Sequence, residues 1–167
     1  GYSVSIDSDG SHVAIGAYAN DGGGNNSGHV RIYEYSSGSW SQVGNDIDGE
    51  AASDYSGRSV SIDSDGSHVA IGAFGNDGNG SDSGHVRLYS WNGSAWSQAD
   101  SDIDGEAASD YSGRSVSIDS DGSRVAIGAY GNDGNGSFSG HVRVYEEGIP
   151  TIHSVSLAAD NSTIAVT

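Results

Sequence analysis

Cysteine and lysine are both absent from this 167-residue chain, and proline occurs once. Without cysteine there is no disulfide, no thiolate metal site and no cysteine nucleophile. The compartment stays open on that ground, because secreted proteins need not use disulfides. Without lysine, six arginines alone oppose 23 Asp and Glu, and the formal net charge is −17. So acidic a surface repels phosphate backbones and anionic lipid headgroups, which argues against nucleic acid and lipid surfaces as partners. It suits a salty or calcium-containing medium. No apolar run approaches the roughly 20 residues of a membrane-spanning helix, so no membrane insertion is expected. The chain opens at Gly1 and is read as a mature or excised segment of something longer.

No helical period occurs anywhere in the chain; what fills it is a repeat. SVSIDSDGSHVAIGAY at Ser3–Tyr18 returns 56 residues later at Ser59–Phe74 and again at Ser115–Tyr130, with one change each time. SGHVRIYEY, beginning at Ser27, returns from Ser83 and from Ser139, and SWSQ from Ser39 is matched by AWSQ from Ala95. DIDGEAASDYSGRSVSIDSDGS occurs twice without a substitution, from Asp46 and from Asp102. A period of this length marks blades, solenoids or arrays.

Within each unit the apolar residues alternate with period two, the signature of strands. The first unit predicts strands at Ser3–Ile6, His12–Ala17, His29–Tyr35 and Trp40–Val43. The VAIGA strand is apolar enough to be buried on both faces. DSDGS makes a short hairpin turn in which Gly10 takes positive φ. The expected fold class is all-β: tandem 56-residue, four-stranded antiparallel blades of propeller type, followed by a C-terminal β-hairpin.

The residues that carry this organisation resemble the FG-GAP repeats, including the integrin α-subunit propeller and many bacterial surface proteins. Tyr55-Ser56-Gly57 stands before SVSI, and Gly72-Ala73-Phe74 ends the VAIGA strand. Here the family's Phe-Gly is Ser-Gly, and its Gly-Ala-Pro proline is an aromatic in all three copies. The resemblance runs from Gly1 to about Tyr145 and implies a β-propeller and an extracellular or cell-surface location. It divides the chain into blades at 1–56 and 57–112, a partial blade at 113–147, and a linker and hairpin at 148–167. That hairpin, TIHSVSLAADNSTIAVT with a turn at Asp160-Asn161, is similar to the opening of bacterial Ig-like domains. The third unit ends before its SWSQ strand, so about two and two-thirds blades are present. An unpaired strand edge at the third blade and an open blade face at each end are expected, to be completed by further sequence or by another copy.

The loops offer oxygen ligands of the kind calcium takes. In the resembling family the cation sits between the first two strands, but here that loop, Asp7 to His12, is clipped to a tight hairpin. Two other patterns compete: Asp46, Asp48, Glu50 and Asp54 at positions one, three, five and nine, and the alternating Asp77 and Asn79, repeated as Asp133 and Asn135. The opposing reading is a Gly-rich turn whose side chains bond their own backbone, and it is preferred for each loop. No metal, cofactor or catalytic residue is therefore assigned, with structural calcium as the open alternative. Among the histidines, His29, His85 and His141 recur at the start of the third strand of each unit, at positions read as packing or hydrogen-bonding ones. Five sequons, at Asn25, Asn79, Asn92, Asn135 and Asn161, would be glycan sites in a eukaryotic secretory host.

Catalysis finds no asymmetric cluster, since every carboxylate pair recurs blade after blade, and no phosphate loop is present. The expected function is that of a non-enzymatic structural or adhesive module of the cell surface. It would self-assemble into homo-oligomers or filaments through open β edges and strand donation. The rival is a propeller that binds a glycan or surface-protein ligand, with Tyr18, Phe74 and Tyr130 as stacking platforms; packing of these aromatics between blades is the preferred alternative.

Overall fold

The computed structural model of the chain describes residues 1–146, 149–157 and 164–166, the last two stretches as backbone only. Fifteen strands follow in order: β1 (Ser3–Ile6), β2 (His12–Ala17), β3 (His29–Ser36), β4 (Ser39–Gln42), β5 (Ile47–Asp48), β6 (Ser59–Ile62), β7 (His68–Ala73), β8 (His85–Trp91), β9 (Trp96–Gln98), β10 (Ile103–Asp104), β11 (Ser112–Ile118), β12 (Arg124–Ala129), β13 (His141–Glu146), β14 (Ile149–Leu157) and β15 (Ile164–Val166). They form three antiparallel sheets of five strands each.

The predicted unit is recognisable in each sheet, with one correction. The fourth strand is split in two. β4 pairs with the far half of β3, the chain bulges out at Gly44, Asn45 and Asp46, and β5 returns to pair His29 with Asp48 and Val30 with Ile47. β9 and β10 do the same against β8. The Asp-rich segment read as a crossing between blades thus begins as strand.

The third sheet carries the second correction. β13 does not present an open edge: β14 pairs along it, Val142 opposite Val155 and Glu146 opposite Ile149, and β15 pairs with β14. The segment expected to open an Ig-like domain lies on this sheet, where its alternating backbone supplies the ladder that the missing SWSQ strand would have made. The expected turn at Asp160-Asn161 lies outside the described residues.

Alternation along the strands decides how sheets pack. On β6 and β7, Val60, Ile62, Val69 and Ile71 point to one side and meet Ala14, Val30, Ile32 and Ile47 of the first sheet. Ala70, Val86 and Leu88 point to the other side and meet Val125 and Ile127 of the third. β7 is accordingly buried on both faces beyond His68, whereas Val13 and Ile15 of β2 and Ala126 of β12 are only half-buried. The VAIGA strand needs a neighbour on each side, and among the described residues only the middle sheet has two.

The serines between these apolar residues bind the sheets to each other. Ser3 Oγ donates to the Gly57 carbonyl at 2.8 Å and Ser59 Oγ to that of Gly113 at 2.7 Å. Ser5 Oγ accepts from Ile62 N–H at 3.1 Å, as Ser61 Oγ does from Ile118 N–H at 3.0 Å. At the hairpin tips Ser8 N–H reaches the Ser64 carbonyl and Ser64 N–H the Ser120 carbonyl. The close approach needs glycine: a Cβ at Gly72 would lie 2.0 Å from the Gly113 oxygen, and one at Gly16 2.1 Å from that of Gly57.

Candidate functional site

Each joint between sheets repeats one polar constellation. The arginine on the third strand reaches back to the preceding sheet: Arg87 donates to the Asp48 carbonyl at 2.7 Å and Arg143 to that of Asp104 at 2.8 Å. The same guanidiniums face Glu50 and Glu106, at 3.5 and 3.3 Å. In the first sheet Arg31 turns onto its own sheet and clasps both oxygens of Asp46, at 2.9 and 2.8 Å. That clasp raises the guanidinium's pKa and holds Asp46 down at about 2.

Beside each arginine stands a histidine. His29 Nδ1 lies 3.4 Å from Asp46, and His141 Nδ1 lies 3.4 Å from Glu106. His85 is 1% exposed and faces two carboxylates, Asp102 at 3.7 Å and Glu50 at 4.0 Å. Burial pushes the His85 and His141 imidazoles below the ordinary histidine range, so both are neutral near pH 7.

The loop carboxylates weighed as a calcium cage are dispersed. Asp46 and Asp48 gather at His29, while Glu50 goes with His85 and Asp102. Asp54 is buried and accepts from Ala51 N–H at 2.9 Å. Asp77 and Asp133 each cap their own loop, accepting from Asp82 and Phe138 N–H. The Asn79 amide spans the joint and donates to the Gly105 and Glu106 carbonyls, whereas Asn135 is exposed and engages Ser139 through its backbone. In the clipped hairpins Asp7 Oδ2 takes the Ser11 hydroxyl and pairs with His12, as Asp63 does with Ser67 and His68. Desolvation opposes ionisation of Asp7, but these bonds outweigh it and lower its pKa.

Of the remaining sequons, Asn25 is exposed, and Asn92 Oδ1 caps its turn by accepting from Ser94 and Ala95 N–H. Asn161 lies outside the described residues.

The aromatics form a row that was not legible as one. Tyr2, Tyr18, Tyr55, Phe74, Tyr111 and Tyr130 follow one another with ring centroids 4.8 to 6.2 Å apart. Arg58 lies over Tyr2 and Tyr18, and Arg114 over Phe74 and Tyr130, in cation–π geometry. Tyr18, Phe74 and Tyr130, weighed above as sugar platforms, spend ring faces on each other's neighbours. The signal available in sequence was the residue before Ser-Gly, Tyr55 and Tyr111, which takes positive φ and drops its ring between two GA-aromatic motifs.

The ends of the stack are unlike its middle. Val4 and Ile6 are 69% and 58% exposed, although their counterparts Val60 and Ile62 are buried. At the other end Val142 is 39% exposed, where Val30 and Val86 are fully buried.

Comparison with curated proteins finds no match. Among solved structures the chain is similar to the hydrazine synthase of Kuenenia stuttgartiensis, at 12% identity and a TM-score of 0.51, over 87% of this chain and 32% of that one. It is also similar to the tricorn protease, at 13% identity and a TM-score of 0.49, over 86% of this chain and 13% of that one. The chain therefore spans a third or less of either protein, and at such identity the first likeness concerns the fold alone. The FG-GAP repeat family matches residues 46–89 and 102–145, together more than half of the sequence. This chain belongs to the FG-GAP repeat family, and its three sheets are blades of the β-propeller type.

Proposed function

We propose that this chain is a non-enzymatic structural module of an extracellular or cell-surface protein and that it assembles with copies of itself. The observation that carries the reading is the pair of bare end faces. Val4, Ile6, Val13 and Ile15 at one end correspond to the residues that the second and third sheets bury against a predecessor. Ala126, Val142 and Val144 at the other end correspond to the residues that the first and second sheets bury against a successor. One face of a copy is therefore built to the pattern of the opposite face of the next, and the occupant is a second copy of this chain. Since β14 occupies the third sheet's edge, faces and not edges carry the assembly.

The contact joins unlike faces, so it is heterologous; it closes into a ring or continues as a filament according to the rotation per copy. Surface and extracellular proteins are where FG-GAP repeats are typically found, which supports the location. The formal charge of −17 makes copies repel at low ionic strength, so assembly is expected to strengthen with salt.

Sedimentation velocity and electron microscopy over a concentration series test the reading. Oligomers or filaments that form with rising salt and are lost in Ile6→Asp support it. Monomers alone at millimolar concentration and high salt overturn it.

A further inference from the structure

The joint between the first and second sheets holds a feature that the joint between the second and third has only in part. His85 opens β8 at 1% exposure, and neither ring nitrogen has a hydrogen-bond partner. A buried imidazole without a partner is costly, since native interiors pair nearly all such atoms. Its Nδ1 points between two carboxylate oxygens, Asp102 Oδ2 at 3.7 Å and Glu50 Oε2 at 4.0 Å. These separations are too long for hydrogen bonds.

Both carboxylates are held from behind. Gln98 Nε2 donates to the other oxygen of Asp102 at 2.7 Å, and Arg87 faces the other oxygen of Glu50 at 3.5 Å. One ligand atom from each of Glu50, His85 and Asp102 lies within 4.8 Å of the other two. One neutral nitrogen and two anionic oxygens around a gap form the donor set of a divalent transition cation. Zinc binds such ligands at roughly 2.0–2.2 Å, which places neighbouring donors roughly 3.4 Å apart. Asp102 and Glu50 are 32% and 44% exposed, so their side chains have room to draw in toward Nδ1 and each other.

We infer that Glu50, His85 and Asp102 form a zinc-type cation site that staples the first sheet to the second. Glu50 comes from the segment after β5, and His85 and Asp102 from the two ends of the β8–β10 unit. Arg87 leaves the net charge of the set at −1, which a divalent cation reverses; water completes the coordination. The histidines at the equivalent positions of the neighbouring sheets are placed differently. His29 has Asp46 and Asp48, but both Asp46 oxygens are taken by Arg31. His141 has Glu106, but among the described residues no second carboxylate completes a group of three with them. The paired hairpin histidines differ again, since His68 Nδ1 is already bonded to Asp63 at 2.8 Å.

The inference is independent of self-assembly and is tested on dilute intact chain. Calorimetric titration with Zn²⁺ is expected to show one saturable site, with a rise in melting temperature. Glu50→Gln and Asp102→Asn, isosteric changes at exposed side chains, should each weaken binding about tenfold or more, while Glu106→Gln at the next joint leaves it unchanged. Histidine-ring NMR should show the His85 signals shifting on addition of one equivalent. The inference is overturned if no saturable site appears, if Glu106→Gln weakens binding as much as Glu50→Gln, or if Ca²⁺ fills the site as well as Zn²⁺.

Discussion

Ser59 and Gly113 stand 54 residues apart and share a 2.7 Å hydrogen bond, in which the serine hydroxyl of one sheet donates to the carbonyl of the next. Its removal strands a carbonyl at a packed joint. Ser59→Ala is expected to lower the unfolding free energy by about 1–2 kcal/mol in urea titrations at unchanged m-value. The equivalent Ser115 is exposed, so Ser115→Ala should cost much less.

The glycines opposite these serines give a sharper contrast. A Cβ at Gly72 would sit 2.0 Å from the Gly113 oxygen, whereas at Gly128 its one severe contact is the rotatable Ser115 hydroxyl. Gly72→Ala should therefore destabilise by about 3 kcal/mol or more, and Gly128→Ala by clearly less, as chemical denaturation would report.

Core truncation should depend on which sheet is cut. Ile71 is 1% exposed between two sheets, and Ile71→Ala is expected to cost about 2–5 kcal/mol. Ile15, its counterpart on the bare face, is half-buried, and Ile15→Ala should cost less in dilute chain. If copies stack on that face, the cost grows with protein concentration, which a melting series would register.

Two acid steps are expected. His85 and His141 have folded pKa values below the ordinary 6.5, so below that pH the unfolded chain takes up protons that the folded chain refuses. Stability is then full above about pH 6.5 and falls as the pH drops through and below it. Asp46, held at about 2, adds stability above the unfolded carboxylate value that is lost as pH falls from about 4 toward 2. Urea midpoints across pH 2–8 check both, and Asp46→Asn should remove most of the second step.

Strand positions were legible in the sequence because alternation and turn residues agree locally: Ser3–Ile6 and His12–Ala17 are found where the pattern puts them. The fourth strand was half legible. Trp40 and its neighbours alternate, but Ile47-Asp48 is too short to show a period, and its pairing is dictated by Val30 across the sheet. What the sequence hid was the joint. Glu50, His85 and Asp102 lie far apart along the chain, and their meeting follows from the sheet-to-sheet offset. The serines that alternate with Val and Ile show in the sequence only as the opposite face of the strand, yet Ser3, Ser5, Ser59 and Ser61 point into the next sheet. A small hydroxyl looks the same in a pattern whether it meets water or a neighbouring carbonyl.

The offset between successive sheets also sets how this molecule comes apart. With each sheet touching only its neighbours, stability resolves into intrinsic terms and two nearly identical coupling terms, as in a one-dimensional lattice. The middle sheet holds both couplings and each outer sheet holds one. Opening should therefore begin at the outside and travel inward, with the amides of β7 the last to exchange. Any added copy or repeat would contribute one further coupling of the same size, so resistance to unfolding would rise stepwise with the number of stacked units.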